Sequence, residues 1–166
     1  MTLLRTLTLW LHTTSIITWF GGLVFYLLIA DPVARAAGSA RERLRALADL
    51  DQRFRHLIWG SVEFAVVTGI ALLVITLFQA GTGVSLSGDY HKVLGVKLVL
   101  AVLIIAMQLW NHIKINPRKR ALAEGAGEAG AAEFDALQAR TRQVYLLELI
   151  VAAALVLLGV HLRAVL

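Results

Sequence analysis

The chain has 166 residues, 58% of them hydrophobic and only 16% charged, with 16 Lys and Arg against 11 Asp and Glu for a net charge of +5. Soluble domains average about 45–50% apolar and about 25% charged, so the apolar excess is too large for one ordinary globular core and excludes a disordered chain. There is no cysteine, which excludes disulfides, iron–sulfur clusters and thiolate zinc or copper sites, and two Met, one of them the first residue, supply a methionine copper site poorly.

The apolar residues fall in four runs, each reaching the roughly 20 residues a helix needs to cross a bilayer. The first is Leu7–Ala30. It is too long for a signal-peptide core, and no small-residue cleavage site follows it, so it is read as a span. Ser39-Ala40-Arg41-Glu42 then reads as a capping box, with Leu44, Leu47, Leu50, Phe54 and Leu57 following at helical spacing. This predicts an amphipathic helix over 40–56 that runs into span two, Leu57–Phe78. Asp89 is placed to cap span three, Val93–Ile115, and Asn116-Pro117 reads as a helix stop. The Gly/Ala-rich stretch Glu124–Ala132 reads as a tether before span four, Val144–Leu166. No internal repeat is visible. Backbone groups in lipid must be satisfied internally, so the expected fold is all-α: one transmembrane domain over 1–166, an integral membrane four-helix bundle.

Charge sets the expected orientation. Arg35, Arg41, Arg43, Arg45, Arg53 and Arg55 lie between spans one and two, and Lys114, Arg118, Lys119, Arg120, Arg140 and Arg142 between spans three and four. The second connection offers only Lys92, and the termini offer Arg5 and Arg163. The positive-inside rule makes the first and third connections cytoplasmic and puts both termini on the outer, periplasmic side of a bacterial-type inner (plasma) membrane. The basic residues therefore read as a lipid-headgroup signal and not as a nucleic-acid surface.

Ionisable groups inside spans are costly unless paired or turned toward a polar interior. His12, Glu63, Lys97, Glu148 and His161 lie within the runs, with His56, His91 and His112 near their ends. At about 1.5 Å per residue, His12, Lys97 and His161 share an outer layer, and Glu63, Gln108 and Glu148 an inner one, with His56 and His112 nearer the cytoplasm. Helical phase puts His12, Ser15, Trp19, Gly22 and Tyr26 on one face of span one, and His56, Gly60, Glu63 and Val67 on one face of span two. Lys97, Ala101, Ile104, Gln108 and His112 share a face of span three, and Glu148, Ala152, Leu155 and Gly159 a face of span four, with His161 roughly opposite. Each helix thus carries one polar or small-residue stripe, as a bundle with a polar interior requires. Plainer readings stand beside this one: interfacial histidines are solvated, His161 and Lys97 can snorkel outward, Glu63 and Glu148 can pair with arginines, and Trp19 and Trp59 can be packing or belt residues.

Imidazoles or an amine at matched depth on opposing helices can hold a b-type haem, which leaves no covalent trace in sequence; no Cys-x-x-Cys-His motif is present for c-type attachment. The same residues also suit a proton relay or a metal path.

His12-Thr-Thr-Ser-Ile-Ile-Thr18-Trp19-Phe20-Gly-Gly22-Leu23, followed by Tyr26, resembles the first helix of the HemJ-type protoporphyrinogen oxidases, small four-helix membrane proteins of haem biosynthesis. Arg53 and Arg55 before Trp59, with Gly69 beyond, are similar to that family's second helix; Lys97-Leu98 resembles its Lys-Leu element, and Glu148 its acidic position in the fourth. CopD-like four-helix units, linked with copper uptake, share the span-one pattern. Two features depart from the family: Gly95 stands where it has a further histidine, His91 being the nearest, and the connection before span four is longer.

The resemblance implies a haem b-binding oxidoreductase that converts protoporphyrinogen IX to protoporphyrin IX. His12 and Lys97 are carried over as its working residues, with His12 on iron and Lys97 or His161 as a second ligand. Glu63 and Glu148 join the catalytic set and Trp19 the cofactor contacts. Membrane lipid, a quinone-type electron acceptor and a porphyrinogen substrate are the partners expected; a homo-oligomer is open. Two alternatives use the same residues: a non-enzymatic b-type cytochrome subunit, with His12/His161 and His56/His112 as two haem layers, and a CopD-like copper-handling protein.

Overall fold

A computed structural model describes residues 2–36, 39–81, 88–125 and 130–164. The described chain is all helical. Helix α1 (Thr2–Phe25) passes through a π-helical turn, Tyr26–Ala30, into α2 (Asp31–Arg35), and α3 (Ala40–Gly81) returns. Helix α4 (Gly88–Trp110) passes through a second π-helical turn, Asn111–Ile115, into α5 (Asn116–Gly125), and α6 (Ala131–Ala164) returns. Four stretches, Leu3–Arg35, Glu42–Gln79, Gly88–Gly125 and Ala131–His161, are long and apolar enough to cross a membrane. The end of span four at Leu166 and part of the Glu124–Ala132 tether lie outside the described residues.

The amphipathic segment over 40–56 and span two form the single helix α3. Its start is the capping box expected: the Ser39 hydroxyl accepts from the Glu42 N–H at 3.2 Å, and the Glu42 carboxylate accepts from the Ser39 N–H at 2.9 Å. Asp89 lies in the first turn of α4 and pairs with Lys92 at 3.1 Å.

Asn116-Pro117 does not stop its helix, contrary to the sequence reading. Proline has no N–H, and its ring collides with the carbonyl four residues back. The helix absorbs this by widening one turn, so that the Asn116 N–H reaches Asn111 O. Asp31-Pro32 is handled identically, the Asp31 N–H reaching Tyr26 O. The widening turns two consecutive residues inward at each place, Ala30 with Asp31 and Ile115 with Asn116.

α1 packs chiefly on α3, and α4 on α6. The bundle's two ends differ. Toward the loops rich in arginine (the basic end), Leu23, Tyr26, Phe54, Ile58, Ile104, Tyr145 and Ala152 form a closed core, and Leu44, Leu47 and Phe134 a smaller one. Toward the chain termini (the terminal end), among the described residues only Thr8, Ser15, Thr68 and Tyr90 are buried. The outward faces are apolar, with Leu28 71%, Phe78 71% and Leu157 70% exposed, a surface that lipid covers without cost and water does not.

Candidate functional site

At the terminal end each long helix contributes one element to a common level. The His12 ring of α1 lies against α3, where Nδ1 is 2.8 Å from the carbonyl oxygen of Ala65 and 3.1 Å from Thr68 Oγ1. A carbonyl can only accept, so Nδ1 carries the proton and Nε2 keeps its lone pair. Thr68 donates its own proton back to Phe64 O at 2.6 Å, which leaves its oxygen free to accept from His12. The close approach needs Gly69, because a Cβ there would stand 3.0 Å from His12 Cε1. On the facing hairpin, Lys97 of α4 lays its Nζ along α6, 3.6 Å from where a Cβ on Gly159 would stand. His12 and Lys97 are both half-buried and close enough to interact electrostatically. No hydrogen-bond partner meets His12 Nε2 or Lys97 Nζ among the described residues.

The basic half holds a second polar cluster. Gln108 donates to Glu148 at 2.7 Å, both fully buried, and the other Glu148 oxygen has no partner among the described residues. One turn toward the basic end, the Tyr145 ring meets that of Tyr26 edge-on with centroids 4.9 Å apart. Beyond them Asp51 accepts from both Tyr26 and Lys119, and Lys119 also reaches Thr141 at 3.4 Å. Gln138 donates to Tyr26 at 2.9 Å and to Asp31 at 2.7 Å. Lys119 is 1% exposed and Asp51 7%, so this is a buried ion pair inside a polar network.

Several expected site residues lie elsewhere. Glu63 and His56 are exposed, with Gly60 and Val67 beside them, so the span-two stripe faces outward and Glu63 does not join Gln108 and Glu148. His161 is exposed and stands apart from the inward Glu148 face, and His91 is exposed beside Tyr90. His112 packs edge-on against Trp59 at 5.7 Å, and no contact joins it to exposed His56 among the described residues. Trp19 is in the core, with its Nε1 unpartnered among the described residues. The open groove of about 280 Å³ between α1 and α3, lined by Ser15, Thr18, Ser61 and Phe64 among others, does not include His12. Three of its hydroxyls donate to their own helices, Ser15 to Leu11 O at 2.8 Å, Thr18 to Thr14 O at 2.9 Å and Ser61 to Leu57 O at 2.7 Å.

Sequence reasoning missed Asp31, Asp51, Lys119, Gln138 and Thr141. Lys119 is flanked by Arg118 and Arg120 and reads as orienting charge. The usable signal was phase: Asp51 continues the Leu44–Leu47–Phe54–Ile58 face of α3.

The fold and its sites define a class: a bundle of four membrane-length helices with a closed polar core at one end and an open histidine–lysine level at the other. Comparison with protein-family models, with curated proteins and with solved structures gives no match.

Proposed function

We propose that this protein is a multi-pass membrane oxidoreductase that binds haem b at the terminal end, of the protoporphyrinogen oxidase type, with a quinone-type acceptor for its electrons. The observation that carries the reading is His12: its Nδ1–H is committed to the Ala65 carbonyl, Gly69 makes room for the ring, and Nε2 is left as a free donor of electrons. Metal-binding histidines commonly donate their other ring N–H in this way, since that hydrogen bond fixes the tautomer and the ring plane. The loosely packed terminal end suits a bulky apolar guest, and Lys97 supplies a cation or an amine across from His12.

The residues fit one such group. His12 would hold the iron, and Lys97 would meet a propionate or serve as a second ligand. Haem, when bound, supplies one-electron steps to a large hydrophobic substrate. Lys97 Nζ, half-buried and without a carboxylate partner among the described residues, is the group placed to take or give a proton at this level. Glu148, held by Gln108 in the basic half, is a candidate to receive protons from this level.

A second haem between His56 and His112 is disfavoured, because the basic half is filled by its own hydrogen-bonded side chains and His56 faces outward. No group of three or more His, Asp and Glu among the described residues is placed to hold a metal ion by itself, which disfavours the copper reading. Orientation follows from the arginine-rich loops, which put both termini outside a bacterial-type plasma membrane.

Protein purified from membranes should show a Soret band that His12→Ala abolishes, with a haem-to-protein ratio of one. A colourless wild-type protein refutes the cofactor. Rescue of a cell lacking protoporphyrinogen oxidase tests the reaction separately, and failure to rescue by a haem-loaded protein refutes the reaction alone.

A further inference from the structure

The two hairpins repeat each other. In each, a long helix enters a π-helical turn just before an Asx-Pro pair, continues briefly, and is answered by a second long helix. Aligning Asp31-Pro32 with Asn116-Pro117 pairs Tyr26 with Asn111, Leu23 with Gln108 and Trp19 with Ile104, and all six are buried. The same register pairs exposed Phe25 with Trp110 and Leu28 with Ile113. Carried one step further, it pairs His12 with Lys97.

The returning helices agree independently. Aligning Gly69 with Gly159 pairs Val62 with Ala152, Ile58 with Glu148, Asp51 with Thr141 and Leu44 with Phe134, again all buried. Gly69 is the glycine under the His12 ring, and Gly159 is the glycine beside Lys97 Nζ, so the contact is repeated as well as the register. Paired positions also meet each other across the bundle. Leu44 and Phe134 share one cluster, and Asp51 and Thr141 are both held by Lys119. Residues related by a pseudo-two-fold axis meet where that axis passes.

We infer that the chain is a tandem repeat of one helical hairpin, and that His12 and Lys97 are the equivalent positions of its two halves, facing a single ligand site between them. The ligand class that suits such a site is a flat macrocycle with two usable faces, one toward each half. The identity of that ligand as haem rests on the reading above; the shared site does not.

Two measurements test this, and they separate the claims. The chain has no cysteine, so the double variant His12→Cys/Lys97→Cys carries the only two thiols. In membranes, a bifunctional thiol reagent should bridge them within one chain, seen as loss of both free thiols without a dimer band. Absence of intrachain bridging overturns the shared site, whether or not the protein takes up haem. Equivalence is tested by exchange. His12→Lys should lose the Soret band, and His12→Lys/Lys97→His should restore it, with the histidine now supplied by the second half. If the exchanged protein folds, as judged by its helical circular dichroism, yet stays as colourless as His12→Lys, the equivalence is overturned. A wild-type protein that never binds haem removes the ligand assignment and leaves the bridging result to decide the site.

Discussion

Lys119 and Asp51 join the second hairpin to the first, and a double-mutant cycle on them measures how strongly. Both are almost completely buried, so neither charge can fall back on water when its partner is removed. Breaking a buried pair from one side costs about 3–5 kcal/mol, whereas replacing both members by apolar residues of similar size is often neutral or stabilising. The two sides are not equal here. Asp51 also accepts from Tyr26, so Asp51→Leu strands the ammonium and frees the Tyr26 hydroxyl, which places it at the upper end of that range. Lys119→Met leaves Asp51 with the Tyr26 donor and belongs near the lower end. In Asp51→Leu/Lys119→Met neither member of the pair is left behind as an unpaired charge, and Tyr26 keeps its bond from Gln138. The double variant should lose less than about 2 kcal/mol against single losses of about 5 and about 3 kcal/mol, a coupling of about 6 kcal/mol between the sites. Equilibrium unfolding in mixed micelles, driven by a denaturing detergent and followed by helical circular dichroism, gives the four stabilities. Single losses that simply add in the double variant would refute the assignment of a buried, mutually dependent pair.

Three further outcomes follow from particular contacts. Gly69→Ala should destabilise the wild type by up to about 2 kcal/mol, because overpacking against the His12 ring outweighs the roughly 1 kcal/mol gained in helix propensity. In a His12→Ala background the same change should stabilise, and the same unfolding titration reads the reversal of sign. Glu148→Gln can keep its bond to Gln108, whereas Glu148→Leu strands a buried amide, so the leucine variant should be less stable than the glutamine one by about 1–3 kcal/mol. Ser39→Ala should cost about 1 kcal/mol by uncapping α3. The bonds from Ser39 hold the Glu42 carboxyl below its usual value, so the cap contributes fully above the ordinary carboxylate range and weakens as pH falls through the lowered value. Thermal scans carried below the ordinary carboxylate range, about pH 4, should show that loss in the wild type and not in Glu42→Gln.

The parts of the fold that were legible are those written in local composition. Four apolar runs give four long helices, and Ser39 with Glu42 gives the start of α3, because hydrophobic length and capping need no distant partner. His12 and Lys97 were legible as polar residues at matched depth, since depth follows from rise per residue alone. The direction each stripe faces was less secure. Glu148 turns inward as its phase suggests, but Glu63 turns outward, because α3 meets α1 along the Ile58–Val62 side and leaves the His56–Glu63 side uncovered. A helix wheel ranks the faces of one helix; the neighbours decide which face is covered.

The prolines show the same limit from the other direction. Pro117 reads as a stop because a lone helix loses a hydrogen bond there, yet in the bundle one widened turn costs less than giving up the packing of Asn116 and Lys119. The tandem repeat was invisible in the letters, where His12 stands against Lys97, Asp51 against Thr141 and Ile58 against Glu148. It is plain in the pattern of burial and in the two glycine contacts. By itself the amino-acid order determined how many membrane-length helices form and where α3 begins, since those depend on neighbours along the chain. Only the tertiary structure decided which polar groups meet, that Lys119 is a core residue, and that two unlike halves share one design. Contacts between hairpins select for shape and hydrogen-bonding role at a position, and many different side chains can satisfy the same requirement.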